Sequence, residues 1–100
     1  MSNSAIFFCD KNWCVIDFDT SLPAMLGTVL DRRSKVKLSE LLNDSKEMDK
    51  VRVLTDLNQW PQQLRLTFKG SDGTNFEATC GIYYWPTDQK YMVTVHEIVG

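Results

Sequence analysis

One histidine, three cysteines, five glycines and three prolines occur in 100 residues, and each scarcity closes off a class of function. A lone His96 cannot build a multi-histidine metal site. It also leaves every Ser–His or Cys–His pair dependent on a single imidazole. Cys9, Cys14 and Cys80 are odd in number and lack CxxC spacing, which argues against a disulfide framework and a zinc site. A Cys9–Cys14 bridge across a hairpin is allowed, but reduced thiols acting as small hydrophobes are the preferred reading. Neither a P-loop nor a GxGxxG motif is present. Eleven Lys and Arg stand against thirteen Asp and Glu, a net charge of -2. Without a basic excess there is no counterion-releasing surface, so no nucleic-acid partner is expected. No apolar run approaches the ~20 residues of a membrane helix. The opening MSNSAIFFCDKNW lacks the basic, apolar and cleavage regions of a signal peptide. These residues read as a cytoplasmic domain, alone or within a larger protein, with no membrane segment and no enzymatic activity.

What the chain does contain is β-pattern at both ends and helical pattern between. Its length fits one domain, residues 1–100, with one core. Residues 5–9 (AIFFC) and 13–18 (WCVIDF) are β-rich runs around an Asp10-Lys11-Asn12 turn, giving a hairpin over 5–18. A helical segment over 20–58 follows. Asp19, Thr20 and Ser21 offer caps for a two-turn helix that Gly27 closes. DRRSKVK (31–37) holds four basic residues and reads as a solvated connector rather than an anion site, since Asp31 and Glu40 flank it. Ser39 is the expected cap of a one-turn helix over 40–42. Residues 46–58 make the longest helix, with Met48, Val51, Leu54 and Leu57 recurring every three residues and Trp60-Pro61 ending it. A three-stranded meander spans 64–98. In it Leu64, Leu66 and Phe68, then Phe76, Ala78, Cys80, Ile82 and Tyr84, then Tyr91, Val93 and Val95 form the apolar face.

The chain resembles a PAS domain, the small sensory module of signalling proteins, from Ala5 to Val99. The hairpin resembles that family's opening strand pair. Asp19 to Gly27 resembles its capped helix with a Leu-Gly end. Lys69-Gly70-Ser71-Asp72-Gly73-Thr74 resembles its Asp-Gly turn, and Glu97-Ile98-Val99 its exit from the last strand. The resemblance implies an α+β fold: a five-stranded antiparallel sheet of order 2-1-5-4-3 with short helices packed on one face. It also implies a sensor or dimerisation role in bacterial-type signalling.

Relatives in that family bind haem, flavin, a covalent chromophore, small organic acids or nothing. Haem is argued against, because residues 46–63 contain no His. The flavin-photosensor motif is absent, since LSELLNDSK occupies its place without a cysteine. Trp13, Trp60 and Trp85 could stack on an isoalloxazine ring, so flavin or a small organic ligand stays open, with no tightly bound cofactor the preferred reading. A pocket would lie between sheet and long helix, lined by Val51, Leu54, Leu66, Phe68, Phe76, Ala78, Val93 and Val95. The opposite sheet face, with Tyr83, Trp85, Met92, Thr94 and His96, would bind a second copy or a flanking helix. Glu97 and Ile98 would carry a signal towards a C-terminal output domain. Two readings follow: a non-catalytic sensor that passes ligand or partner state through its last strand, or a ligand-free interaction and dimerisation module.

Overall fold

A computed structural model describes residues 4–70 and 72–98. The expected exit through Val99 towards Gly100, and Ser71 of the turn motif, lie outside the described residues. The strands are β1 (Ser4–Asp10), β2 (Val15–Phe18), β3 (Gln62–Lys69), β4 (Asn75–Trp85) and β5 (Lys90–Glu97). Between β2 and β3 come α1 (Ser21–Leu26), a 3-10 turn at Arg32–Ser34, α2 (Leu38–Leu41) and α3 (Ser45–Leu57). The strands form one antiparallel sheet in the order β2-β1-β5-β4-β3, the arrangement that the resemblance to a PAS domain implies.

Alternation sets the inner face. Phe7 pairs with Val93, which pairs with Ile82; Ala5 pairs with Val95, which pairs with Cys80. All six are buried, together with Leu66, Phe68 and Ala78. Against them pack Leu22 and Leu26 of α1, Leu38 and Leu41 of α2, and Met48 and Val51 of α3. Each fully buried Phe or Leu contributes roughly 1.5–3 kcal/mol of hydrophobic stabilisation. One end of the core is aromatic. Trp13 stacks on Tyr91 with centroids 4.1 Å apart, and Trp60 and Tyr84 meet the same ring at 5.2 and 4.9 Å.

Both sheet edges are covered by the segment 36–43. Val15 N donates to Val36 O at 2.7 Å and Leu38 N to Trp13 O at 2.8 Å, closing the β2 edge. At the β3 edge, Asn43 N donates to Thr67 O at 2.9 Å and Thr67 N donates to Glu47 Oε2 at 3.0 Å. An unpaired edge is a template for association, and these bonds cover part of each edge.

Three local expectations need correction. The α2 segment starts at Leu38, with Glu40 Oε2 accepting from Lys37 N at 2.8 Å; Ser39 therefore lies inside the helix rather than capping it. The pairing of residues 36–38 with β2 sets that start. The connector is solvated as expected, with Asp31, Arg32, Arg33, Lys35 and Lys37 exposed, and within it Asp31 accepts from Arg33 N at 2.8 Å and caps a 3-10 turn. Helix α3 stops at Leu57, before Trp60-Pro61. Asn58, at φ 51°, donates its N–H to Leu54 O and Thr55 O, and Asn tolerates that left-handed closure. Finally, a stripe at every third residue drifts by about 60° per step on a helix of about 100° per residue. Met48 and Val51 face the core, Leu54 is half-buried, and Leu57 is 56% exposed.

Other expectations hold. Asp19 Oδ1 accepts from Leu22 N at 3.2 Å at the start of α1. Gly27 ends that helix at φ 68°, a conformation glycine adopts without a Cβ penalty.

Candidate functional site

Two regions compete as the functional site: the sealed layer between sheet and helices, and the uncovered outer face of the sheet. Of the eight residues expected to line a pocket, Val51, Leu66, Phe68, Ala78, Val93 and Val95 have 0% exposure. Leu54 is half-buried on α3. Phe76 is half-buried, stacked on Phe68 at 5.5 Å. The six buried residues belong to one core cluster, and Phe76 packs against it. A cavity of about 10 Å³ in the helical layer lies elsewhere, among Val15, Phe18, Leu30, Asp31, Val36 and Leu41.

The outer face follows from the same register. Row by row, Ile6 lies beside Thr94 and Gly81, Phe8 beside Met92 and Tyr83, and Asp10 beside Lys90 and Trp85. Phe8 meets Trp85 edge-on at 5.8 Å. Lys90 Nζ sits 4.8 Å from the Phe8 centroid and 5.0 Å from that of Trp85, so a cation is shared by two aromatic faces. Ile6 and Trp85 are each 41% exposed and Tyr83 is 36% exposed. Beneath Tyr83 the sheet is flat at Gly81. A Cβ there would meet Thr94 Oγ1 at 2.8 Å and Tyr83 Cε2 at 3.3 Å, and Gly81 N donates to that hydroxyl at 3.2 Å. The result is an apolar and aromatic patch across the three central strands.

Tyr83, Trp85, Met92 and His96 all lie on this face, as expected. Ile6, Phe8 and Lys90 belong to it too and were not singled out from the sequence. The signal was the unbroken apolar run IFF: with no polar alternation, one of its two faces must present apolar groups outward. At the exit of β5, Glu97 pairs with Ala78, and Ile98 N donates to Glu77 O at 2.9 Å. The last described residues are thus still hydrogen-bonded to β4.

The titratable groups are divided between the two sides of the sheet. His96 is exposed on the outer face, whereas Cys9 and Cys80 are buried on the inner one, so the sheet separates thiol from imidazole. All three cysteines are free. Burial pushes the Cys9 thiol up, with the nearby Asp10 adding to it, and pushes Cys80 up to about 12. Buried thiols so raised are poor nucleophiles. Asp17 is exposed, and its carboxyl lies below the usual range chiefly through the Arg32 side-chain hydrogen bond, at 2.8 Å. Among the described residues no group of three or more His, Cys, Asp or Glu could hold a metal ion. Among them, too, no helix is long and apolar enough to cross a membrane.

No family model matches the chain, and no curated protein matches it. Solved structures do. It is similar to a domain of a sensory box sensor histidine kinase/response regulator from Geobacter sulfurreducens, with 17% identity, 92% of this chain and 81% of that one covered, and a TM-score of 0.73. It is similar to a PAS domain from Desulfitobacterium hafniense, with 15% identity, coverage of 97% and 93%, and a TM-score of 0.75. A fungal LOV domain photoreceptor aligns at 16% identity, coverage of 96% and 74%, and a TM-score of 0.73. At such identities the likeness is one of fold.

Proposed function

With the PAS fold as premise, we propose that this chain is a non-catalytic regulatory module. It passes the state of a ligand or partner through its last strand to an output domain beyond it. The observation that carries this reading is the position of β5. The strand that leaves the domain is hydrogen-bonded to β1 on one side and β4 on the other from Lys90 to His96. One of its faces carries core residues Tyr91, Val93 and Val95; the other carries Met92, Thr94 and His96 in the outer face. A repacking of the core or a partner on the outer sheet therefore acts on the same strand. The structural relatives include domains named for sensor histidine kinases, which supports an output domain of signalling type.

The outer face is read as the surface for a second copy. Its exposed Ile6, Tyr83 and Trp85 with half-buried Phe8 and Met92 have the composition of an interface centre, rich in aromatics and Met. Three unpaired thiols suit a reducing, cytoplasmic setting. No tightly bound cofactor is proposed. A ligand held against Val51, Leu54, Leu66, Phe68, Phe76, Ala78, Val93 and Val95 would have to displace packed side chains. That sealed packing also favours the second reading, a ligand-free dimerisation module.

Native mass spectrometry with visible absorption separates the two. A dimer carrying extra mass, or absorbing beyond the protein's own bands, supports the sensor. A colourless dimer of bare chain mass supports the ligand-free module. A monomer with neither overturns both.

A further inference from the structure

Where the turn between β1 and β2 meets α2 and α3, a groove of about 290 Å³ is lined by Asn12, Trp13, Lys37, Ser39, Met48 and Arg52. No residue of β3, β4 or β5 lines it, so it lies to the side of the layer between sheet and helices. Trp13 and Met48 are buried and form its floor. Backbone bonds fix its walls. Asp10 O accepts from Trp13 N at 3.0 Å, and Asp10 Oδ1 accepts from Asn12 N at 2.9 Å and from Cys14 N at 3.0 Å. Leu38 N donates to Trp13 O at 2.8 Å, which ties the turn to α2. Trp13 holds φ 62°, a conformation uncommon for a bulky residue. Strain of this kind persists where the surroundings over-determine it, and it clusters at ligand sites.

The lining is rich in donors and holds no acid. Lys37 and Arg52 bring two cations from different elements, Asn12 an amide and Ser39 a hydroxyl. The chain carries thirteen Asp and Glu and a net charge of -2, so this local excess of positive charge runs against the whole. Among the described residues the Lys37 ammonium makes no ion pair, and the side chains of Asn12 and Ser39 make no hydrogen bond. Arg52 Nη1 donates to Asp49 Oδ1 at 3.1 Å, an exposed pair that leaves other guanidinium N–H groups unused. Glu40 Oε2 accepts from Lys37 N at 2.8 Å and does not line the groove. Two cations on one groove repel each other, and an anion between them reverses the sign of that interaction.

We propose that this groove is a binding site for a phosphate group. Two cations match a phosphate dianion, whereas a carboxylate would neutralise only one of them. Lys37 and Arg52 supply charge-assisted bonds, and Asn12 and Ser39 add neutral donors from the turn and from α2. Of the basic connector only Lys37 takes part. Its companions come from the turn and from α3, which is why DRRSKVK taken by itself reads as solvated. As an input to the proposed sensor the site rests on that reading; as an anion site it stands alone. Trp13 stacks on Tyr91 of β5 with centroids 4.1 Å apart, so an anion held over Trp13 bears on a ring packed against the outgoing strand.

The test is titration of the whole 100-residue chain with inorganic phosphate at constant ionic strength, followed by amide NMR shifts, with acetate as the monoanionic comparison. Wild type, Lys37→Gln, Arg52→Gln and Lys69→Gln are compared. The site predicts saturable phosphate shifts centred on Asn12, Lys37 and Ser39, and weaker binding of acetate. Phosphate affinity should fall roughly three- to fivefold in Lys37→Gln and in Arg52→Gln, the scale of an exposed charge pair. It should change less than about twofold in Lys69→Gln, whose charge lies outside the groove and is screened. Lys37 and Arg52 are both exposed, so either variant decides if the other misfolds. Absence of saturable shifts, shifts centred elsewhere, acetate bound as tightly as phosphate, or wild-type affinity in Lys37→Gln and Arg52→Gln would overturn the site. None of these outcomes touches the dimer measured by native mass spectrometry, so site and module can fail separately.

Discussion

Replacing Glu47 tests how the helical layer is tied to the sheet. Glu47 stands in the first turn of α3 with its side chain only 12% exposed, and its Oε2 accepts from Thr67 N at 3.0 Å at the outer edge of β3. Lys50 Nζ approaches the same carboxylate at 3.1 Å but is 49% exposed, so that pair contributes little. A hydrogen bond to a charged group contributes about 1.5–3 kcal/mol, and the low end applies because water can reach the freed edge amide. The favourable interaction of an acid with the helix N-terminus, about 0.3–1 kcal/mol, is also lost. The gain in helix propensity on going to Ala, a few tenths of a kcal/mol or about 0.4, offsets part of this. Glu47→Ala should then destabilise by about 1.5 kcal/mol, lowering Tm by roughly 6–12 °C. Glu47→Gln keeps a neutral acceptor and should lose about half as much. Thermal melts give the totals, and hydrogen exchange gives the local signature. The Thr67 amide should exchange at least about tenfold faster in the Ala variant, a change of about 1.4 kcal/mol in local opening. A Thr67 amide as protected as in wild type, or a Gln variant less stable than the Ala variant, would refute the clamp.

Three further outcomes are expected. Thiol titration of the native chain should find Cys14 reactive and Cys9 and Cys80 blocked until denaturant is added; prompt labelling of all three would contradict their burial. For Cys80, raised from 9.0 to about 12, the folded state keeps a proton that the unfolded chain loses. Its contribution is therefore whole below pH 9 and is lost as pH rises towards 12, at about 1.4 kcal/mol per pH unit; denaturant melts from pH 8 to 11 should show that decline. Asp44 Oδ1 accepts from Lys46 N at 3.0 Å and Glu47 N at 3.3 Å, so Asp44→Ala should cost about 1 kcal/mol and Asp44→Ser should recover most of it, as read by urea unfolding.

The sheet was legible because its signal is local. Ala78, Cys80 and Ile82 alternate with polar or small neighbours, and so do Val93 and Val95, so the period of two assigns their faces before any partner strand is known. Gly27 likewise announced a helix end. What escaped the sequence is non-local. Nothing in Val36, Lys37 and Leu38 says that they run beside β2, and that pairing moves the start of α2 and displaces Ser39 as a cap. Nothing in DRRSKVK says that Arg32 reaches back fifteen residues to Asp17. The candidate site was legible in part for the same reason. Tyr83, Trp85, Met92 and His96 follow from alternation, while Ile6 and Phe8 were hidden in a run apolar on both faces.

Sedimentation velocity of the wild-type chain and of Trp85→Ala tests the proposed interface most directly. Trp85 is 41% exposed and meets Phe8 and Lys90 on the outer face, so its loss should cost folding no more than about 1–2.5 kcal/mol. The account predicts a wild-type dimer and a variant whose dimer dissociation constant is at least about tenfold higher. A wild type monomeric at every concentration, or a Trp85→Ala dimer as tight as the parent, would contradict it.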